Sequence, residues 1–264
     1  MKRKMSTISV LHCYKLLFRS GLFIAALILY IRARTLHGWI SPEDCASHPV
    51  ILGILSAIFI CEMVLRFFPS RFESMGCQKQ FGSNFIPTDI SEPSRRSPLP
   101  VLTVALVWLL LNGVIGVLYL TRIIDAGILI LISLFYSVCD MICILFFCPF
   151  QTWFLKDKCC GSCRIYNWDY AMMFTPLIFI PGVFSYTVLG IALLLLAVWE
   201  ITVRLHPERF SEQTNQCLSC ANCKEKLCHH KTQLRHFLRV NRSLLATKGN
   251  EVLGKVKDRL NRKD

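Results

Sequence analysis

The sequence predicts an all-α integral membrane protein of about six transmembrane helices with a cytosolic cysteine-rich module. Hydrophobic residues make up 53% of the 264 residues, and the mean hydropathy is positive. These residues are gathered in long runs rather than dispersed in amphipathic patterns. Several runs approach or exceed the length needed to cross a hydrocarbon layer of about 30 Å at about 1.5 Å per helical residue. We therefore expect lipid to be the solvent for much of this chain.

Six apolar runs define a membrane domain over residues 1–206. The first follows a basic leader and reads as a retained signal anchor, because Arg32 and Arg34 occupy the place where small residues would mark a cleavage site. Pro176 and Pro181 interrupt the fifth, which is either a full span or a broken or re-entrant segment. The predicted spans lie near Leu16 to Ile31, Val50 to Phe67, Val101 to Leu120, Gly127 to Phe147, Tyr170 to Phe184 and Tyr186 to Val203.

Basic residues predict the orientation of these spans. With Arg19 and Arg66 assigned to the neighbouring loops, the Lys and Arg counts of successive non-membrane segments are five, two, five, one, three, none and fourteen. The positive-inside rule then places both termini, the loop 69–100 and the loop 148–169 in the cytosol, in a plasma or inner membrane. The loop 69–100 is rich in Pro and Ser and is expected to be a tether without a core of its own.

The predicted topology decides how the 14 cysteines are interpreted. Only Cys45 falls outside, while the others face the cytosol or lie in the cytosolic half of a span. Thiols on that side are kept reduced, so metal coordination is favoured over a disulfide framework.

The segment 207–230 is the densest group of candidate ligands. Three of its thiols follow one another at two-residue gaps, a spacing that resembles the iron–sulfur ligands of bacterial ferredoxins in those gaps alone. Zinc is the direct alternative, because tetrahedral zinc sites use the same short Cys-x-x-Cys motifs, here called hooks, and accept an imidazole in place of a thiolate. The cofactor prediction is therefore an iron–sulfur cluster or zinc, held by Cys217, Cys220, Cys223, Cys228 and His229.

The loop 148–169 carries a second group of thiols, namely Cys148, Cys159, Cys160 and Cys163. Its Cys-Gly-Ser-Cys hook could complete one site with the tail, or form a separate site within the loop. A redox-active thiol pair is a further alternative, because basic residues flank the hook and would favour thiolate.

Three carboxylates fall inside predicted spans, where burial is costly unless they are paired, protonated or wetted. Glu62 precedes Arg66 by four residues, and Glu200 precedes Arg204 by four, the spacing of an ion pair on one helical face. Asp140 has no such partner.

Asp140 lies one turn before Cys143 and beside Cys139. This polar face could contact a metal ion or proton, or bond to a neighbouring helix through Asn112. The membrane cysteines Cys61, Cys139 and Cys143 are read first as packing residues, since free cysteine is a common small apolar filler.

Residues 231–264 form a basic, amphipathic tail. We expect it to bind the anionic inner leaflet or a protein partner at the cytosolic face, so the net charge of +13 does not indicate nucleic acid. The sequence lacks the phosphate-binding loops, zinc-protease helices and nucleophile elbows of ATPases and hydrolases. The predicted function is a membrane protein with a cytosolic metal or iron–sulfur centre, with a redox role. The alternatives are a non-enzymatic scaffold, or a soft-metal transporter, with a structural zinc site.

Overall fold

The computed structural model describes residues 7–42, 44, 49–69, 75–90, 97–157 and 162–219, and this part of the chain is helical. Within it no strand forms beyond an isolated antiparallel bridge between Pro87 and Asn215. The α-helices are α1 Thr7–His37, α2 Pro49–Leu65, α3 Met75–Gln80, α4 Leu99–Leu120, α5 Ala126–Leu145, α6 Asp169–Phe174 and α7 Val183–Leu205.

Four of the described helices are long and apolar enough to cross a membrane: α4, α5, α7 and the stretch Val10–Leu36 of α1. Helix α2 has 17 residues, and at about 1.5 Å per residue it is shorter than a hydrocarbon layer of about 30 Å. The length and composition of these helices suggest a membrane-embedded chain, whereas six continuous spans are not confirmed.

The fifth predicted span is a broken segment. Helix α6 gives way to a 3-10 helix, Thr175–Phe179, at the Thr-Pro step identified in the sequence. Pro176 offers no backbone N–H to an α-helix, so the change in helix type begins where the sequence predicted an interruption. The segment still runs along the whole bundle, because Ile180 packs with Ala126 and Leu129 in the first turn of α5.

The two ends of the bundle are fixed by different polar contacts. At one end the Asp125 side chain caps α5 by accepting the N–H of Ile128 at 3.0 Å, and Arg34 and Tyr30 of α1 both bond to the same carboxylate. We call the other end, where α5 and α7 finish, the tail end. Helix α1 begins and α7 finishes at the tail end, so residues 7 and 205 lie on one side of the bundle.

A polar cap covers the tail end and corrects the tether prediction for residues 75–90. This segment contains α3 and packs against residues 206–219, where Asn215 is fully buried and donates to the carbonyls of Lys79 and Arg209. The rings of Phe81 and Phe210 also meet that of Trp199. The loop has no core of its own, but the tail and α7 supply one.

Candidate functional site

The polar interior of the membrane domain is built around Arg19. Its guanidinium donates to Glu62 Oε2 at 2.8 Å and to Asp140 Oδ2 at 3.0 Å, and it is almost completely buried. Lys15 and the hydroxyl of Tyr170 complete the contacts of Glu62, at 3.3 and 3.0 Å. Helices α1, α2, α5 and α6 are thus joined through a single group of paired charges.

The predicted ion pair between Glu62 and Arg66 is wrong. Helix α2 ends at Leu65, so the helical register that would bring Arg66 over Glu62 stops one residue too early. Arg66 instead makes a two-pronged pair with Asp169, with N–O distances of 2.7 and 2.6 Å. Its guanidinium lies over the ring of Tyr170, 4.6 Å from the ring centroid.

Glu200 also has partners other than the predicted one. Both of its oxygens accept from Arg164 at 2.6 Å, and Trp168 Nε1 donates to one of them at 2.6 Å. Arg204, the partner expected from the helical spacing, makes none of these bonds. The loop 148–169 is therefore held to α7, and the intramembrane candidate Glu200 serves to position it.

Asp140 is paired with Arg19 rather than with Asn112, whose amide donates to Trp108 within its own helix. The sequence assigned Arg19 to a loop, and the contact crosses from α1 to α5. A pairing between helices so far apart in sequence has no spacing signal, which explains why it was missed.

A cavity of about 130 Å³ adjoins this network at the tail end. It lies among α4, α5, α6 and the loop 148–169, with aromatic side chains such as Trp108 and Tyr166 in its wall. Asp140 and Asp169 border it while remaining paired with their arginines. Six sulfur-bearing side chains line the cavity: Cys139, Cys143, Cys148, Cys163, Met172 and Met173.

Local structure explains how these sulfurs converge. Cys139 and Cys143 are four residues apart on α5 and so share a helical face. Cys148 follows the end of that helix, where its Sγ accepts the backbone N–H of Gln151 at 3.5 Å, and its side chain hydrogen-bonds that of Cys143. Cys163, in the later part of the loop, is buried and lines the same cavity.

The structure thus joins two groups that the sequence treated separately. Cys148 and Cys163 were predicted as loop ligands, whereas Cys139 and Cys143 were predicted first as packing residues. The face formed by Asp140 and the membrane cysteines was the available signal. The sequence carried no signal for Met172 and Met173, because methionines are common in apolar runs.

Only some of the predicted ligands of the cytosolic metal centre lie among the residues that the structure describes. Cys217 donates its thiol to the carbonyl of Asn84 at 3.0 Å. Among the described residues, no group of three or more His, Cys, Asp or Glu is arranged to hold a metal ion. Outside them lie the basic tail 231–264 and the predicted ligands Cys159, Cys160, Cys220, Cys223, Cys228 and His229. The centre and its cofactor therefore stay predictions.

Comparisons with family models, with curated proteins and with solved structures found no match. Four apolar helices are compatible with a membrane protein, and the function of the chain has to be argued from its own residues.

Proposed function

We propose that this chain is a multi-pass membrane protein that holds a thiolate-ligated iron–sulfur cluster or zinc ion at the cytosolic face of its helices. The observation that carries the proposal is the hydrogen bond from Ser162 Oγ to Glu212 Oε1, 3.2 Å long. Ser162 lies between Cys160 and Cys163, and Glu212 lies five residues before Cys217. The contact therefore ties the loop that carries one group of predicted ligands to the segment that leads into the other.

Chain length makes this contact informative. Cys160 is two residues from Ser162, which corresponds to at most about 7 Å of chain. Asn215 anchors the segment that leads to the tail ligands through its bonds to the carbonyls of Lys79 and Arg209. Two short cysteine hooks on neighbouring, anchored segments are what a four-thiolate site requires.

A redox role is our first interpretation of such a centre. Thiolate ligands suit both iron–sulfur clusters and zinc, and the two successive two-residue gaps between Cys217, Cys220 and Cys223 favour a cluster. A cluster at this face would pass electrons to a partner protein, whereas zinc would hold loop and tail together. The fixed position of residues 206–219 against the bundle is compatible with both.

Metal analysis of the full-length protein, purified without oxygen, tests the proposal. We expect bound iron or zinc in the wild type and a loss of at least half of it in Cys220→Ser and in Cys160→Ser. Cys61→Ser is the matched control, since Cys61 is exposed on α2 and lies outside both predicted hooks. Visible absorbance that fades on oxidation identifies a cluster, and colourless protein with stoichiometric zinc identifies the structural alternative. Unchanged metal content in both variants would overturn the proposal.

A further inference from the structure

The cavity at the tail end of α5 has the chemistry of a soft-metal site. Its wall contains four thiols and two thioethers, and the remaining side chains are mostly aromatic or aliphatic. Cysteine and methionine often serve as packing residues. Side chains that only pack a core, however, leave little empty volume between them. The volume of about 130 Å³ is several times the roughly 15 Å³ that one water-sized sphere requires.

We propose that this cavity binds a monovalent soft cation, Cu⁺, between the sulfurs of Cys143 and Cys148. Their side chains already hydrogen-bond each other, so both sulfurs can reach one ion placed between them. Cys139, Cys163, Met172 and Met173 border the same space and are the additional soft donors. The proposal uses described residues alone and does not depend on the cytosolic centre.

Ligand type and number favour Cu⁺ over zinc. Thiolate and thioether ligands select Cu⁺, whereas zinc sites take thiolates, imidazoles and carboxylates and almost always have four ligands. Among the described residues, no three or more His, Cys, Asp or Glu side chains are arranged to hold a metal ion. The hydrogen-bonded sulfurs of Cys143 and Cys148 are sufficient for a linear Cu⁺ complex. Zinc would require further side chains to converge.

The charge balance of the cavity favours the same ion. Asp140 and Asp169 are already neutralised by Arg19 and Arg66, so their charges are not free to offset a divalent cation. The cost of placing an ion in an apolar space rises steeply with its charge. When Cu⁺ binds, one thiol of the pair becomes a thiolate and releases one H⁺ to solvent, while the second sulfur donates a lone pair. One positive charge enters and one leaves, so the net charge of the cavity is unchanged.

Position-resolved alkylation of the full-length wild-type protein tests the proposal. The purified, reduced protein is exposed to N-ethylmaleimide with and without Cu⁺ under anaerobic conditions, and each cysteine is quantified by mass spectrometry. At Cu⁺ concentrations about ten times the dissociation constant, we expect alkylation of Cys143 and Cys148 to slow on the order of tenfold. Cys61, which is exposed and outside the cavity, is the internal reference and should react at its original rate.

Two further measurements complete the test. Cys143→Ser should lower the Cu⁺ stoichiometry by one equivalent in the wild-type background and equally in the Cys220→Ser background. Zn²⁺ at the same concentration should protect the pair less than Cu⁺. Unprotected Cys143 and Cys148, an unchanged stoichiometry or equal protection by Zn²⁺ would each overturn the inference. Metal loss in Cys220→Ser alone supports the cytosolic centre, so the two proposals fail separately.

Discussion

Arg19 places its guanidinium between the carboxylates of Glu62 and Asp140, with 1% of its surface exposed. Burying such charges is costly, and their mutual attraction offsets the cost only while every partner is present. Removing the cation alone would leave two carboxylates in an apolar region, with Lys15 still paired to Glu62 and Asp140 without its Arg19 partner. Arg19 is therefore the residue whose loss should damage the membrane domain most.

We expect Arg19→Ala to lower the free energy of unfolding by about 3 to 5 kcal/mol, the cost typical of breaking a buried ion pair. Thermal unfolding in detergent and the yield of monodisperse protein measure the effect. Arg32→Ala is the matched control, because Arg32 lies on the exposed surface of the same helix. If the free energy of unfolding of Arg19→Ala lies within about 0.5 kcal/mol of that of the control, the network does not stabilise the bundle.

Residue-scale sequence reasoning identified the buried carboxylates but not their partners. Glu62, Asp140 and Glu200 were recognised because carboxylates in apolar runs are unusual. The four-residue rule gave Arg66 and Arg204 as partners, yet the end of α2 removes Arg66 from reach and Arg164 forms the bidentate pair with Glu200. The rule describes neighbours within one helix, and these side chains bond between elements.

At the scale of elements, the broken fifth segment packs closely against α4. A Cβ atom built on Gly116 would lie 2.3 Å from the ring of Phe179, which belongs to the 3-10 helix. Gly113 lies on the same helix three residues earlier, and a Cβ atom there meets nothing within 4 Å. The two glycines therefore form a matched pair that isolates this packing contact from helix propensity.

We expect Gly116→Ala to destabilise the protein by about 1 to 3 kcal/mol through overpacking. Gly113→Ala should be neutral or slightly stabilising, since alanine favours the helix by roughly 1 kcal/mol. Thermal unfolding of both variants under the same detergent conditions gives the comparison. Phe179→Leu should restore part of the stability lost in Gly116→Ala, and equal effects of the two alanines would show that the contact is not a constraint.

Whole-molecule features were predictable to different degrees. Hydropathy identified α1, α4, α5 and α7 as helices long and apolar enough to cross a membrane, because a long apolar run has few other stable conformations. The cap formed by residues 75–90 and 206–219 was not predicted. It depends on Asn215 reaching the carbonyl of Lys79, a contact across 136 positions that no local pattern encodes.

The orientation of the whole molecule gives the last prediction. Contacts place the start of α1 and the end of α7 at one end of the bundle, and the loops assigned to that side carry most of the Lys and Arg. The positive-inside rule therefore puts the tail end in the cytosol. A membrane-impermeant maleimide applied to intact cells should label Cys45 and not Cys217.

Cells permeabilised with a metal chelator present provide the control for that experiment, since both cysteines should then be labelled and a reaction at Cys217 proves that its thiol is accessible. Inside-out vesicles should reverse the pattern seen in intact cells. Labelling of Cys217 from outside would show that the molecule has the opposite orientation in the membrane. The loop and tail thiols would then face an oxidising compartment, where disulfides rather than metal ligands are expected. The proposed cytosolic centre thus depends on the charge-derived orientation as much as on the cysteines themselves.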